Sequence, residues 1–177
     1  HESAQYVVDR DNRVAFYMGD DERNEYIYKF VCTRPLNTRN NNANRNLLNN
    51  GTLYVAKFNA NLSGQWMALV PGTIGVDGVA LRDNPNFTGG DDEEVLARIL
   101  IKTRMAADAV GATMMDRPEW AGARPRMGGF RPAHQRLDDG SGVLVVLTGR
   151  LLAECLGGDQ HRRARRRHDH VGTVGAQ

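Results

Sequence analysis

Apolar and polar residues exchange places at every second position in several short runs of the first seventy or so residues, and a period of two is the signature of strands. Residues 4–8 and 13–18 form the first two runs, and the turn-prone segment 9–12 between them predicts a hairpin. A third run spans residues 25–33, where Tyr26, Tyr28 and Phe30 alternate with Glu25, Ile27 and Lys29. Its aromatic and β-branched content suits a half-buried strand. Residues 52–58 and 65–70 repeat the pattern around a turn at 59–64, which predicts a second hairpin with Trp66 in the core. The period then changes. Val95, Leu96, Ile99 and Leu100 recur at helical spacing, and Ala106, Ala107 and Val110 continue that face with residues that permit close packing. One helix over residues 92–110 is therefore expected. Thr88 or Asp91 can cap its start, Asp91 to Glu94 suit the positive end of its dipole, and Gly111 supplies a stop. Within that helix Arg104 and Asp108 stand four apart and suit an ion pair. The asparagine-biased segment 34–51 lacks the apolar area that offsets the entropy of ordering and reads as a mobile loop. Residues 71–86 read as a Gly/Pro/Asn-rich connection. The fold class expected is mainly β, antiparallel, with one inserted helix.

Composition adds bounds. A chain of 177 residues, 41% hydrophobic and 25% charged, is long enough for one modest domain. The formal net charge of +2 hides an uneven distribution, because acidic residues concentrate early and arginines cluster near the end. Cys32 and Cys155 make neither a disulfide framework nor a close-spaced metal pattern. No apolar run reaches the length of a membrane span, no signal peptide is recognisable, and the first residue is His1 instead of methionine.

Two segments carry candidate chemistry. Asp20, Asp21 and Glu22 place three carboxylates in succession, and their mutual repulsion is relieved either by solvent at a hairpin tip or by a bound cation. Asp116, Arg117 and Glu119 surround Pro118. On local grounds this is a surface turn with an ion pair, or a site where hard cations and an oxyanion meet. Carboxylate oxygens bind calcium-like ions, and the arginine fork matches phosphate in a bidentate way. Pro118 disfavours a helical Arg117, so an extended loop is expected.

The run TRMAADAVGATMMDRPEW, residues 103–120, closely resembles a motif of the PhoX-type alkaline phosphatases that ends in DRPEW. MGDDERNEYIYKF, residues 18–30, resembles a second motif of that family, and with GTLYVAKF, residues 51–58, the resemblance covers roughly residues 1–120. It implies a β-propeller enzyme that hydrolyses phosphate monoesters with calcium and iron, periplasmic or secreted. Carried onto this chain, it makes Asp20, Asp21, Glu22, Asp116 and Glu119 metal ligands and Arg117 the residue that stabilises phosphoryl charge. Glu2, in the family-like HE at the start, is a further ligand candidate. Asn24 departs from the pattern, standing where relatives carry a bulkier apolar residue. The family's cysteine ligand belongs to a region N-terminal to this chain, and Cys32 does not match its motif. The alternative is therefore a non-catalytic propeller fragment that serves as a binding or structural module.

After Trp120 the composition shifts. Residues 121–177 contain no lysine, asparagine, isoleucine, tyrosine or tryptophan, while arginine, glycine, alanine and histidine take over. Lysine, asparagine, isoleucine and tyrosine have AT-rich codons, and their loss is what a frameshift in a GC-rich gene produces; an irregular, disordered tail is expected here, with residues 142–157 apolar enough for a strand or short helix. The run 161–170 holds five arginines and three histidines. No recognition fold or aromatic platform accompanies it, so nucleic-acid binding is not the reading it favours. His134, His161, His168 and His170 follow no zinc pattern.

Overall fold

The structure, a computed structural model, describes residues 3–8, 11–60 and 63–118, together with the backbone of 120–123, 143–147 and 150–152. In chain order, β1 (Ser3–Val8) and β2 (Arg13–Gly19) form the expected first hairpin, with Ser3 opposite Gly19 and Val8 opposite Val14. The short β3 (Arg23–Glu25) follows, then β4 (Ile27–Pro35), β5 (Gly51–Phe58) and β6 (Gly64–Ala68), the last two making the second expected hairpin. Strands β1-β2-β4-β5-β6 lie side by side in one five-stranded sheet. A two-residue strand β7 (Met115–Asp116) pairs with β3, and β8 (Trp120–Ala123), β9 (Val143–Leu147) and β10 (Arg150–Leu152) form a three-stranded sheet. Every pairing among the described strands is antiparallel. Strands β9 and β10 fall within the apolar stretch of the Arg/Gly-rich segment; the basic run 161–170 and the four histidines lie outside the described residues.

The segment expected to be one half-buried strand is divided. Asn24, at φ 60, turns the chain, so that residues through Glu25 belong to the small β3–β7 sheet and Ile27 onward to the large one. Burial is also two-sided: Tyr26, Ile27, Tyr28 and Lys29 are all buried. Across the sheet Met18, Tyr28, Val55 and Met67 are successive register partners on one face, and that face packs against the helices. On the opposite face Lys29 lies between Tyr17 and Tyr54, with its Nζ 4.5 Å from the centre of the Trp66 ring and 5.1 Å from that of Tyr54. Polar residues at alternate positions are thus covered by aromatic rings instead of water, and Trp66 is only partly buried while it does so.

The single expected helix is two, α1 (Asp92–Ile101) and α2 (Thr103–Ala109), broken at Lys102 with φ -103 and ψ 41. The Thr103 hydroxyl donates back to the Leu100 carbonyl, and Lys102 Nζ reaches the Asn86 carbonyl at 2.8 Å. These bonds hold a bend that brings Val95 and Ile99 of α1 and Ala106 and Ala107 of α2 into one core with Leu69, Leu81 and Phe87. Leu100, expected on the buried face, is 44% exposed as a result. Asp91, not Thr88, caps α1 by accepting from Glu94 N at 2.8 Å. Gly111 ends α2 at φ 67, where its N–H donates to Asp108 O and Ala112 N to Ala107 O, the paired bonds of a Schellman stop.

Glu94 Oε2 also accepts from Gly90 N at 2.7 Å, and this backbone bond, followed by the Arg98 partner, lowers the Glu94 pKa from its ordinary 4.5. A depressed carboxylate contributes stability that is present above 4.5 and lost as pH falls through the folded value. Glu94→Gln is accordingly expected to lower the melting temperature at pH 7 and to leave it unchanged near pH 2. Equal loss at both pH values would remove the charge from the account of this cap.

The asparagine-rich loop is ordered. Asn37 and Asn44 exchange bonds (Asn37 N to Asn44 Oδ1 at 2.8 Å, Asn44 Nδ2 to Asn37 O at 2.9 Å), and Asn40 Oδ1 accepts from Asn42 N at 3.0 Å. Short side chains that bond their own backbone replace the apolar area the segment lacks, and Leu47 anchors it in a core with Val14 and Cys32.

Candidate active site

The acidic turn and the loop after α2 form one unit. Arg23 of β3 is in register with Asp116 of β7, and Arg117 N donates to Glu22 O at 3.1 Å. Arg117 Nε donates to Asp21 Oδ1 at 2.8 Å, so two segments 96 positions apart share a charged contact. The loop is not extended at Arg117, whose φ is 54. Left-handed backbone at a non-glycine residue costs of order 1 kcal/mol and persists only where its surroundings hold it. Here the holding is visible: the Arg117 N–H is tied to Glu22, its side chain to Asp21, and the following Pro118 is buried against Gly19. A Cβ built on Gly19 would stand 2.0 Å from the Pro118 carbonyl oxygen, so the end of β2 must be bare for this loop to dock.

Beneath the turn, Glu25 is 7% exposed. Its Oε1 meets Arg104 Nη1 at 3.0 Å, while Oε2 is buried with no hydrogen-bond partner among the described residues. Burial raises the Glu25 pKa; Arg104 opposes that shift, and Asp20, Asp108 and Glu22 add to it. The expected Arg104–Asp108 pair is thereby replaced. Arg104 turns to Glu25, and Asp108 accepts from the buried Tyr26 hydroxyl, whose pKa is pushed up by burial and then by that acceptor. Both contacts lock α2 onto the β3 segment.

Of the residues expected at a site, Asp20 and Asp21 are half-buried and Glu22, Asp116 and Arg117 are exposed on this unit. Glu2 and Glu119 lie outside the described residues. Among the described residues no three His, Cys, Asp or Glu side chains converge closely enough to hold a metal ion. The donor chemistry is that of hard cations all the same: carboxylates outnumber nearby guanidinium groups, and Glu25 presents a buried oxygen in want of a partner. Glu25 is the residue that sequence pattern missed. It sat on the polar half of an apparent strand alternation; its signal was its place three residues after Glu22, before a run of aromatics.

The family model for alkaline phosphatase PhoX matches residues 1–141. The chain belongs to the PhoX alkaline phosphatase family. Among solved structures it resembles a Pseudomonas fluorescens PhoX in complex with vanadate, a transition-state analogue, at 44% identity and a TM-score of 0.55. The match covers 71% of this chain and 21% of that one, so the chain spans about a fifth of the PhoX protein it matches. No curated protein matches it. PhoX membership accounts for both motifs that the unit joins, the acidic turn and the DRP loop. Among the described residues, no helix is long and apolar enough to cross a membrane.

Proposed function

We propose that this chain is the part of a metal-dependent alkaline phosphatase that carries a phosphate clamp and a share of the metal ligands, with phosphate monoesters as substrate. The observation that carries this reading is the contact between the two family motifs at Arg117 and Asp21, in a family with a vanadate-bound PhoX structure. Arg117 stabilises charge on the phosphoryl group. Asp20, Asp21, Glu22, Asp116, Glu119 and Glu2, with the buried Glu25, are the residues that would hold calcium and iron. Such cations supply charge that polarises phosphoryl oxygens and lowers the pKa of an attacking oxygen. A β-propeller frame and a periplasmic or secreted location complete the proposal by family resemblance.

Because the chain spans about a fifth of its relative, activity is to be assayed in the full-length protein that carries this segment. Hydrolysis of a simple phosphomonoester is expected to disappear on chelation and to return with calcium and iron. Glu119→Gln keeps the side chain's shape and removes the charge that faces the cation. It should lower metal occupancy and make activity depend on added calcium. Metal-free protein that hydrolyses the ester at the full rate would overturn the metal reading, and no hydrolysis under any loading would favour a binding module.

A further inference from the structure

The geometry points to Asp21 as the positioning residue of the phosphate clamp, acting through Arg117 and not as a metal ligand. This rests on the phosphatase reading above and assigns one of its acidic residues a different task. A guanidinium presents two bidentate edges, one formed by Nε with a terminal nitrogen and one by the two terminal nitrogens. Asp21 Oδ1 accepts from Nε at 2.8 Å, which restrains the rotation of the group. The side chain of Asp21 is 23% exposed and that of Arg117 47%, so the carboxylate is the more enclosed member of the pair.

Three further contacts fix the base from which Arg117 projects. Its N–H is held by Glu22 O at 3.1 Å, the neighbouring Asp116 is in strand register with Arg23, and Pro118 abuts Gly19. The acidic turn itself is tightened by Glu22 N donating to Asp20 O at 2.8 Å, which sets Asp21 at its apex. Backbone therefore fixes where the arginine starts, and the Asp21 contact restrains where it points. A carboxylate engaged at hydrogen-bond distance with a guanidinium has part of its charge already neutralised, which weakens it as a ligand for a cation. A clamp whose rotation is restrained loses less freedom when it grips a phosphoryl group, and that is the advantage preorganisation confers.

The test compares Asp21→Asn, Arg117→Lys and the double variant in the full-length protein. Asp21→Asn is expected to lower kcat about 10-fold and to weaken inhibition by orthophosphate by a similar factor, with metal content unchanged. In the Arg117→Lys background the same change should have almost no further effect, since its target is gone. Asp21→Glu, which keeps the charge, should recover part of the loss. A fall in metal content with Asp21→Asn, or losses that multiply in the double variant, would overturn the assignment. A separate readout does not need turnover: with arginine labelled in nitrogen-15, the Arg117 Nε–H resonance should be protected from exchange in the wild type and lose that protection in Asp21→Asn. Lack of hydrolysis with the protected resonance intact would defeat the phosphatase reading alone, and an unprotected resonance in the active wild type would defeat the positioning role alone.

Discussion

Replacing Arg117 with lysine in the full-length protein is expected to lower phosphomonoester turnover by about 10²–10³-fold, the scale seen when one donor to a developing oxyanion is removed. Lysine retains the positive charge but presents a point donor in place of a planar fork, so bidentate contact and the Nε–H bond to Asp21 both vanish. The choice of lysine also controls for the backbone. Arg117 sits at φ 54, and lysine tolerates that region no better and no worse than arginine, so the strain at the position is unchanged. The bond from Arg117 N to Glu22 O and the seat of Pro118 on Gly19 survive the change, so folding stability should move little, and metal content not at all. If turnover per folded molecule stayed at the wild-type level, the clamp would have no part in the reaction.

The second large effect is expected from Gly19→Ala. An added Cβ would lie 2.0 Å from Pro118 O and 2.8 Å from Pro118 C, both backbone atoms that cannot swing aside as a side-chain tip would. Overpacking of well-fitted sites costs typically about 1–3 kcal/mol, and a clash with main chain belongs at the upper end of that range or above it. Relief requires the loop after β7 to lift from β2, which carries Arg117 away from Asp21. Melting temperature and turnover should fall together, in contrast with Arg117→Lys, where turnover falls alone. An alanine variant with the wild-type melting temperature would show that the loop does not rest on Gly19.

Both hairpins were legible in the sequence because their alternation and turn residues are local properties, and so was the stop at Gly111, which only a glycine takes without strain. The bend at Lys102 was not. Helical spacing continues across it almost unbroken, and what divides α1 from α2 is the reach of Lys102 to Asn86, a partner 16 positions away. Glu25 was hidden for a similar reason. Alternation assigned it to a solvent face, whereas the chain changes sheets at Tyr26 and carries it inward to meet Arg104. The ordering of the asparagine loop depends on which amides face which backbone groups, and composition does not encode that. The candidate site was legible through its two motifs; their meeting was not, because neither motif contains the geometry of the other. The backbone at Arg117 departs from the extended preference of a pre-proline residue because that local bias yields to the contacts with Glu22, Asp21 and Gly19.

The distance along the chain between Asp21 and Arg117 also sets when the proposed clamp can form. Their contact spans 96 positions and that of Tyr26 with Asp108 spans 82, so each closes a long loop whose entropy must be met before the contact returns anything. At a synthesis rate of about 5–20 residues per second, the acidic turn leaves the ribosome on the order of 5–20 s before its partner loop does. The hairpins can pair during that interval, but the clamp cannot. In refolding, sheet formation should accordingly precede closure of the Asp21–Arg117 contact, and a chain stalled between the two would show native-like strands while the β3–β7 pairing is still absent.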